Sequence, residues 1–306
     1  MSLARTLLLR ASRSAWLADQ LRRRTFFRRA TRRFMPGEEL SDAMAAAADL
    51  AKDNIGTILT QLGENLTSLA TADAVRDHYL GVLDQVHARR LPTQVSVKLT
   101  QLGLDVDRRR CEAHLETLVE RAARHGALLW IDMEDSSYTD VTLEIFKQVR
   151  ASHSNVGVAM QAYLRRTPAD LAALLQLGPT VRLVKGAYNE PPEIAFPKKR
   201  DVDAQYESLA GQLLEATRHG ARPIFGTHDV DLIARIRARA AALTVPPGAF
   251  EVHMLYGIRT PQLRALGAEG VPVRMLISYG RAWFAWYMRR LAERPANVWF
   301  VLRSLV

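Results

Sequence analysis

Apolar positions along this chain follow a two-beat rhythm. Short, nearly continuous apolar runs fall at residues 55–59, 95–99, 127–131, 156–160, 181–184, 224–225, 250–255 and 271–277. Between them lie segments of helical length with one apolar face, at 112–124, 139–150, 168–177, 201–218 and 230–242. Ahead of the first run, after a Pro36-Gly37 break, Leu40, Met44, Ala47 and Leu50 recur at helical spacing, with Ser41 expected as the N-cap. Strands alternating with helices predict a parallel sheet covered by helices. The number of runs fits a (β/α)8 barrel better than an open sheet, and a doubly wound fold is the alternative. No glycine-rich dinucleotide fingerprint follows the first run, which counts against that alternative.

The rhythm ends in a different kind of helix, expected over 283–294 and reading WFAWYMRRLAER. Arg289 and Arg290 stand side by side, and Glu293 follows at helical spacing from both, so one carboxylate can steady two guanidinium groups. Paired arginines suit a carboxylate or phosphate, because each offers a planar fork of donors. Trp283, Phe284, Trp286 and Tyr287 imply that this helix is packed. The chain is expected to divide into an N-terminal helical arm packed on the barrel, residues 1–50, and the barrel with its terminal helix, residues 51–306, the part expected to be catalytic.

Composition narrows the function classes. The 306 residues, 48% of them hydrophobic, suffice for a large core, and no apolar run is long enough to span a bilayer. A single cysteine, Cys111, excludes an internal disulfide framework or a thiolate metal cluster. The formal charge of +10 is concentrated in the first 33 residues, where Arg22, Arg23, Arg24, Arg28, Arg29, Arg32 and Arg33 face one acid, Asp19. Such a start fits a transit peptide, a basic amphipathic helix on a membrane, or surface helices tied to the barrel. No zinc spacing or RNA-binding aromatic signature accompanies the charge, so nucleic acid is not an expected partner.

Barrel enzymes carry their chemistry at the carboxyl ends of the strands. Polar residues cluster there: Glu64 after the first run, Lys98 in the second, Asp132, Glu134 and Asp135 closing the third, Gln161 the fourth, Lys185 the fifth, and Thr227 with His228 the sixth. Each alone is an ordinary loop residue; in succession they would ring one mouth of a barrel.

The words SVKLTQLGLD, DMEDS, QAYLRR, LVKGAY, GTHD, FEVHMLYG and YMRRLAERPAN, in this order, resemble the proline dehydrogenase family, of the monofunctional bacterial type. The resemblance implies an α/β fold, a distorted (β/α)8 TIM-like barrel with extra N-terminal helices, that binds FAD without a Rossmann motif. It implies that Lys98, Arg289 and Arg290 hold the carboxylate of L-proline, with Leu276 and Tyr256 also at the substrate, and that Glu64 pairs with Arg289 as a gate. Asp132 would stand beside flavin and substrate and hold the lysine, and Glu293 would anchor the arginines and reach the flavin side. Gln161 would bond the isoalloxazine edge, with Met160, Arg182 and Val184 nearby. Lys185, Gly186, Ala187 and Tyr188 would follow the ribityl and phosphate region, and Thr227 and His228 the pyrophosphate and adenosine. Arg165 is a further basic residue of that region.

The implied reaction passes a hydride from proline C5 to flavin N5, giving Δ1-pyrroline-5-carboxylate as the first step of proline degradation to glutamate. A membrane quinone is the implied electron acceptor, and Δ1-pyrroline-5-carboxylate dehydrogenase, on a separate chain, an implied transient contact. The implied location is cytoplasmic, with peripheral contact at the inner face of the membrane. Two residues depart from the family pattern: Leu276 stands where the family has a tyrosine that packs on the proline ring, and Ala282 where a polar residue is common. Tyr279, three residues on, points to the opposite face of its strand and does not replace that tyrosine. Two other readings stay open: a barrel aldolase forming a Schiff base on Lys185 or Lys98, and a non-catalytic basic protein bound to membrane or nucleic acid.

Overall fold

The computed structural model describes residues 34–63 and 66–283. Eight parallel strands close into a barrel in sequence order: β1 (Gly56–Gln61), β2 (Thr93–Val97), β3 (Leu129–Ile131), β4 (Val156–Gln161), β5 (Thr180–Val184), β6 (Arg222–Gly226), β7 (Glu251–Leu255) and β8 (Val273–Tyr279). Closure is made by β1 and β8, in register from Gly56 against Arg274 to Gln61 against Tyr279. The doubly wound alternative is thereby excluded. Helices surround the barrel: α1 (Leu40–Ala51) precedes β1, and α2 (Leu69–Ala88), α3 (Arg108–Arg124), α4 (Thr139–Ser152), α5 (Thr167–Leu175), α6 (Lys199–Glu215), α7 (Val230–Ala242) and α8 (Thr260–Ala268) each follow a strand.

The helices form where the apolar stripe repeats and a cap satisfies the first turn. In α3 the buried positions are Cys111, His114, Leu115, Leu118, Val119 and Ala122, and the Asp107 carboxylate accepts from Arg110 N at 3.1 Å. In α7 Asp229 caps in the same way. The cap of α1 is Glu39, not Ser41: the Glu39 N–H donates to the Asp42 carboxylate at 3.3 Å, so the acid three residues on draws the helix start forward and leaves Ser41 inside the first turn. Ala43, Met44, Ala47 and Leu50 of α1 pack into the same core as the strands. Residues 1–33, the basic start, lie outside the described residues.

Alternation along each strand separates two cores. Outward residues such as Leu59, Val97, Ile131, Met160, Leu183, Phe225, Met254 and Ile277 join the helices in one large core. Inward, Ile58, Leu128, Trp130 and Ile224 form a small apolar plug, against which Leu276 packs. Because the strands are parallel, residues two places nearer the carboxyl ends sit one layer above this plug. That upper layer is largely polar. Among the described residues no helix is long and apolar enough to cross a membrane.

Candidate functional site

A cavity of about 950 Å³ opens among the carboxyl ends of the strands and the loops that follow them. Its lining runs in pairs two residues apart: Ala159 and Gln161 on β4, Arg182 and Val184 on β5, His253 and Leu255 on β7, Leu276 and Ser278 on β8. The earlier member of each pair is deeper, so Ala159, Arg182, His253 and Leu276 form the floor and their partners the wall above.

One side is an ionic cluster. Lys98 directly follows β2, and its Nζ lies 3.4 Å from Asp132 Oδ2. Asp132 Oδ1 accepts from Ser96 Oγ at 2.8 Å and is ion-paired with the Arg182 guanidinium. Arg182 is 3% exposed and lies over the Trp130 ring, 4.7 Å from its centroid. Trp130 in turn donates its indole N–H to Gln94 at 2.7 Å. Burial lowers the Arg182 pKa, opposed by the Asp132 charge. Burial alone would raise the Asp132 pKa, but the charges of Lys98 and Arg182 prevail and hold it below the ordinary carboxylate value. Deeper in the loop, Glu134 accepts from Thr100 N at 3.1 Å and from Thr100 Oγ1 at 2.6 Å, tying the turn after Lys98 to the end of β3.

The opposite side carries the LVKGAY and GTHD words. Lys185 Nζ is 2.5 Å from Asp203 and 2.8 Å from Asp229, and Lys199 pairs with both carboxylates as well. The hydrogen bond from Lys185, aided by the α7 cap, depresses the Asp229 pKa. His228 Nε2 accepts from Leu255 N at 2.9 Å, which leaves the proton of the neutral ring on Nδ1. Gly186 has φ +115, and a Cβ there would fall 2.2 Å from Tyr163 Cδ1, so only glycine lets this loop pass beneath the tyrosine. At the rim, Glu190 accepts from Ser136 N and Oγ, both at 2.7 Å, joining the loops after β5 and β3. Arg259 also lines the cavity in the left-handed region, φ 56, rare for a side chain of this size.

Of the residues singled out in the sequence, Lys98, Asp132, Gln161, Arg182, Val184, Lys185, Gly186, Ala187, Tyr188, Thr227, His228, Leu276 and Ala282 come together on this one cavity. Met160 and Tyr256 do not. Met160 points outward from β4 into the barrel–helix core, and Tyr256 packs against that core, with the Asp49 charge of α1 felt at its hydroxyl. Arg165 also stays off the cavity, stacked 4.4 Å from the Phe196 centroid. Tyr279 faces away from Leu276, its hydroxyl 2.7 Å from His78 Nε2 on α2. Glu64, Arg289, Arg290 and Glu293 lie outside the described residues. Sequence reading missed His253, Asp203 and Arg259. His253 carried only a weak signal, its place two before Leu255 on the same strand face.

The wall suits a large polar, hydrogen-bonding group. Gln161 Oε1 and Arg182 Nη1 are buried without partners among the described residues, one an acceptor and one a donor, both on residues lining this cavity. A flavin ring edge, which alternates carbonyls with an N–H, matches that pair of one acceptor and one donor.

Comparison with known proteins identifies the family. The proline dehydrogenase family model matches residues 43–303. The chain is 35% identical over 275 residues to proline dehydrogenase 1 of Bacillus subtilis strain 168, covering 90% of each chain. It is 36% identical over 293 residues to the proline dehydrogenase of Deinococcus radiodurans, covering 94% of this chain and 93% of that one. In fold it is similar to proline utilization A from Bdellovibrio bacteriovorus inactivated by N-propargylglycine, with a TM-score of 0.82 at 24% identity, covering 95% of this chain and 36% of that one. These matches set aside the aldolase and the non-catalytic readings. The chain belongs to the proline dehydrogenase family, and is an oxidoreductase acting on proline in proline catabolism.

Proposed function

We propose that this protein is an FAD-dependent enzyme oxidising L-proline to Δ1-pyrroline-5-carboxylate, with the electrons passed on to a membrane quinone. The observation that carries the reading is the pair of partnerless buried polar atoms, Gln161 Oε1 and Arg182 Nη1, on the wall of a cavity that also holds the Lys98–Asp132 pair. FAD bound here would supply the acceptor, at N5, for the hydride leaving proline C5.

The protein's share is orientation. Lys98, with Arg289 and Arg290 of the terminal segment, binds the proline carboxylate and so fixes which ring carbon faces the acceptor. Asp132 holds Lys98 in place and balances Arg182 beneath. Leu276 supplies the apolar surface against the proline ring. Glu64 pairs with Arg289 as the gate over the substrate. Gln161, Arg182 and Val184 hold the ring system; Lys185, Gly186, Ala187 and Tyr188 the ribityl and phosphate region; Thr227 and His228 the pyrophosphate and adenosine; Glu293 the flavin side of the arginine pair. The proline nitrogen must be unprotonated at transfer, because its lone pair drives the hydride out.

The visible spectrum of purified protein, recorded before and after anaerobic addition of proline, tests this reading. A flavin band that bleaches with proline is the expected result. Protein that stays colourless after incubation with FAD would overturn it. The Arg-rich start is proposed to touch the membrane surface where the quinone resides; liposome association unchanged by deletion of residues 1–33 would end that part. Transient contact with a separate Δ1-pyrroline-5-carboxylate dehydrogenase follows from the product's being that enzyme's substrate.

A further inference from the structure

His253 is the floor residue to which neither the family motifs nor the proposed mechanism gives a task. It is 3% exposed, inside the barrel on β7, and lines the cavity. Its Nε2 is 3.1 Å from Glu251 Oε2, and the same carboxylate accepts from Arg274 Nε at 3.0 Å and lies 3.5 Å from Arg222. A carboxylate paired with two guanidinium groups is ionised and has no proton to give. The hydrogen of the imidazole is therefore on Nε2, and Nδ1 presents a lone pair.

That lone pair has no donor among the described residues. Near it stand the Trp130 ring, with centroids 5.8 Å apart at 84°, and the Arg182 guanidinium, which lies over the same indole and whose partnerless Nη1 makes no hydrogen bond to Nδ1. Burial keeps the ring neutral, with its pKa pushed down to about 4. So weak a base does not take a proton from a substrate ammonium at neutral pH, and a general-base role is excluded on that ground. What remains is an acceptor of fixed tautomer, held from behind by Glu251, buried without a partner among the described residues on a side chain that lines the cavity. Buried acceptors of this kind are normally paired, which leaves a place here for a donor from the ligand.

We propose that His253 is a recognition residue whose Nδ1 accepts a hydrogen bond from an N–H of the group covering the cavity floor: the imide N–H of the flavin ring or the amine N–H of proline. The inference rests on the FAD and proline reading above, and extends it to a residue that reading does not use. Proline has no other donor once its carboxylate is ionised, and the flavin ring has only its imide N–H on the pyrimidine edge.

The test uses the full-length flavoprotein with His253→Leu, which keeps an apolar body and removes the acceptor, and His253→Gln, whose amide oxygen restores one. Flavin release after dilution is followed by free-FAD fluorescence. In parallel, the KM for proline is compared with the inhibition constant of tetrahydrofuran-2-carboxylate, in which a ring oxygen replaces the N–H. Faster FAD release by about tenfold in His253→Leu, recovered in His253→Gln, assigns the donor to the flavin. A proline KM raised about tenfold with the isostere unchanged assigns it to the amine. All three quantities within twofold of wild type overturn the proposal. So does an equal loss for proline and isostere with a lowered Tm that His253→Gln does not recover, since that is a histidine serving only to hold Glu251. Wild-type protein that neither retains FAD nor consumes proline overturns the parent reading, and His253's role with it, which differs plainly from active wild type with silent variants.

Discussion

Asp132 and Arg182 form an ion pair across two strands of the barrel, from the end of β3 to the middle of β5, where the guanidinium is almost wholly buried. A charge so placed depends on its partner. Asp132→Ala should destabilise the fold by about 3–5 kcal/mol in urea unfolding, chiefly by stranding Arg182. Asp132→Asn, which keeps an acceptor for Ser96 and Arg182, should lose less. An Asp132→Ala protein within 1 kcal/mol of wild type, on the scale of an exposed pair, would show that Arg182 is solvated or paired elsewhere.

Acid should unfold the barrel through the cluster beneath the cavity. Burial depresses the His253 pKa to about 4 from 6.5, so the folded state favours the neutral ring. Its stabilisation is complete above pH 6.5 and lost as pH falls toward 4. The Glu251 carboxyl is at about 2: burial would raise it, but the His253 hydrogen bond and the Arg274 charge outweigh that, and its contribution disappears between pH 4.5 and 2. A Tm measured against pH should therefore begin to fall near pH 6.5, with about 3 kcal/mol riding on the histidine. His253→Gln should flatten the upper part of that limb and leave the lower part. An unchanged limb would mean that His253 does not titrate with folding.

If the carboxylate of proline is held by three cations, removing any one should weaken the substrate selectively. Lys98→Ala, Arg289→Ala and Arg290→Ala should each raise the proline KM by the equivalent of about 2–5 kcal/mol while the flavin-to-protein ratio stays near wild type. Unchanged KM in all three would dismiss the clamp.

Leu276 forms part of the cavity floor beside the apolar plug, where it brings no polar atom and less bulk than an aromatic ring. Wild type should therefore tolerate a hydroxyl on the proline ring. Leu276→Tyr should lower kcat/KM for hydroxyproline relative to proline by about tenfold. A ratio that does not move would place the ring of the substrate away from β8.

The barrel was legible because parallel strands buried on both faces read as continuous apolar runs, and every run noted in the sequence overlaps a strand. The α2 helix was harder to see: its buried positions, Ala72, Tyr79, Val82, Leu83 and Val86, leave a long polar gap in which Asp73, Arg76, Asp77 and His78 dominate. Within the site, residues at strand ends were legible because a loop is where polarity stands out after an apolar run. His253 was not, because it lies inside a run, where histidine reads as core. Met160 and Tyr256 show the converse error: each neighbours a cavity residue in sequence, and a strand turns neighbours to opposite faces. Asp203 and Asp229 sit on or before helices far apart in the chain, and only the fold brings them to Lys185.

The seam between β1 and β8 joins residues more than two hundred places apart, Gly56 with Arg274 and Gln61 with Tyr279. Such a contact carries a large loop-closure entropy and defers its reward until almost the whole chain is present. A nascent chain emerging from the ribosome thus exposes two raw sheet edges until Tyr279 is free, and unpaired edges invite association with other chains. The cavity has no complete wall before that moment. On the FAD reading, capture of the cofactor follows synthesis, and chaperone protection of the open sheet, rather than cofactor supply during translation, is what the yield of active protein should track.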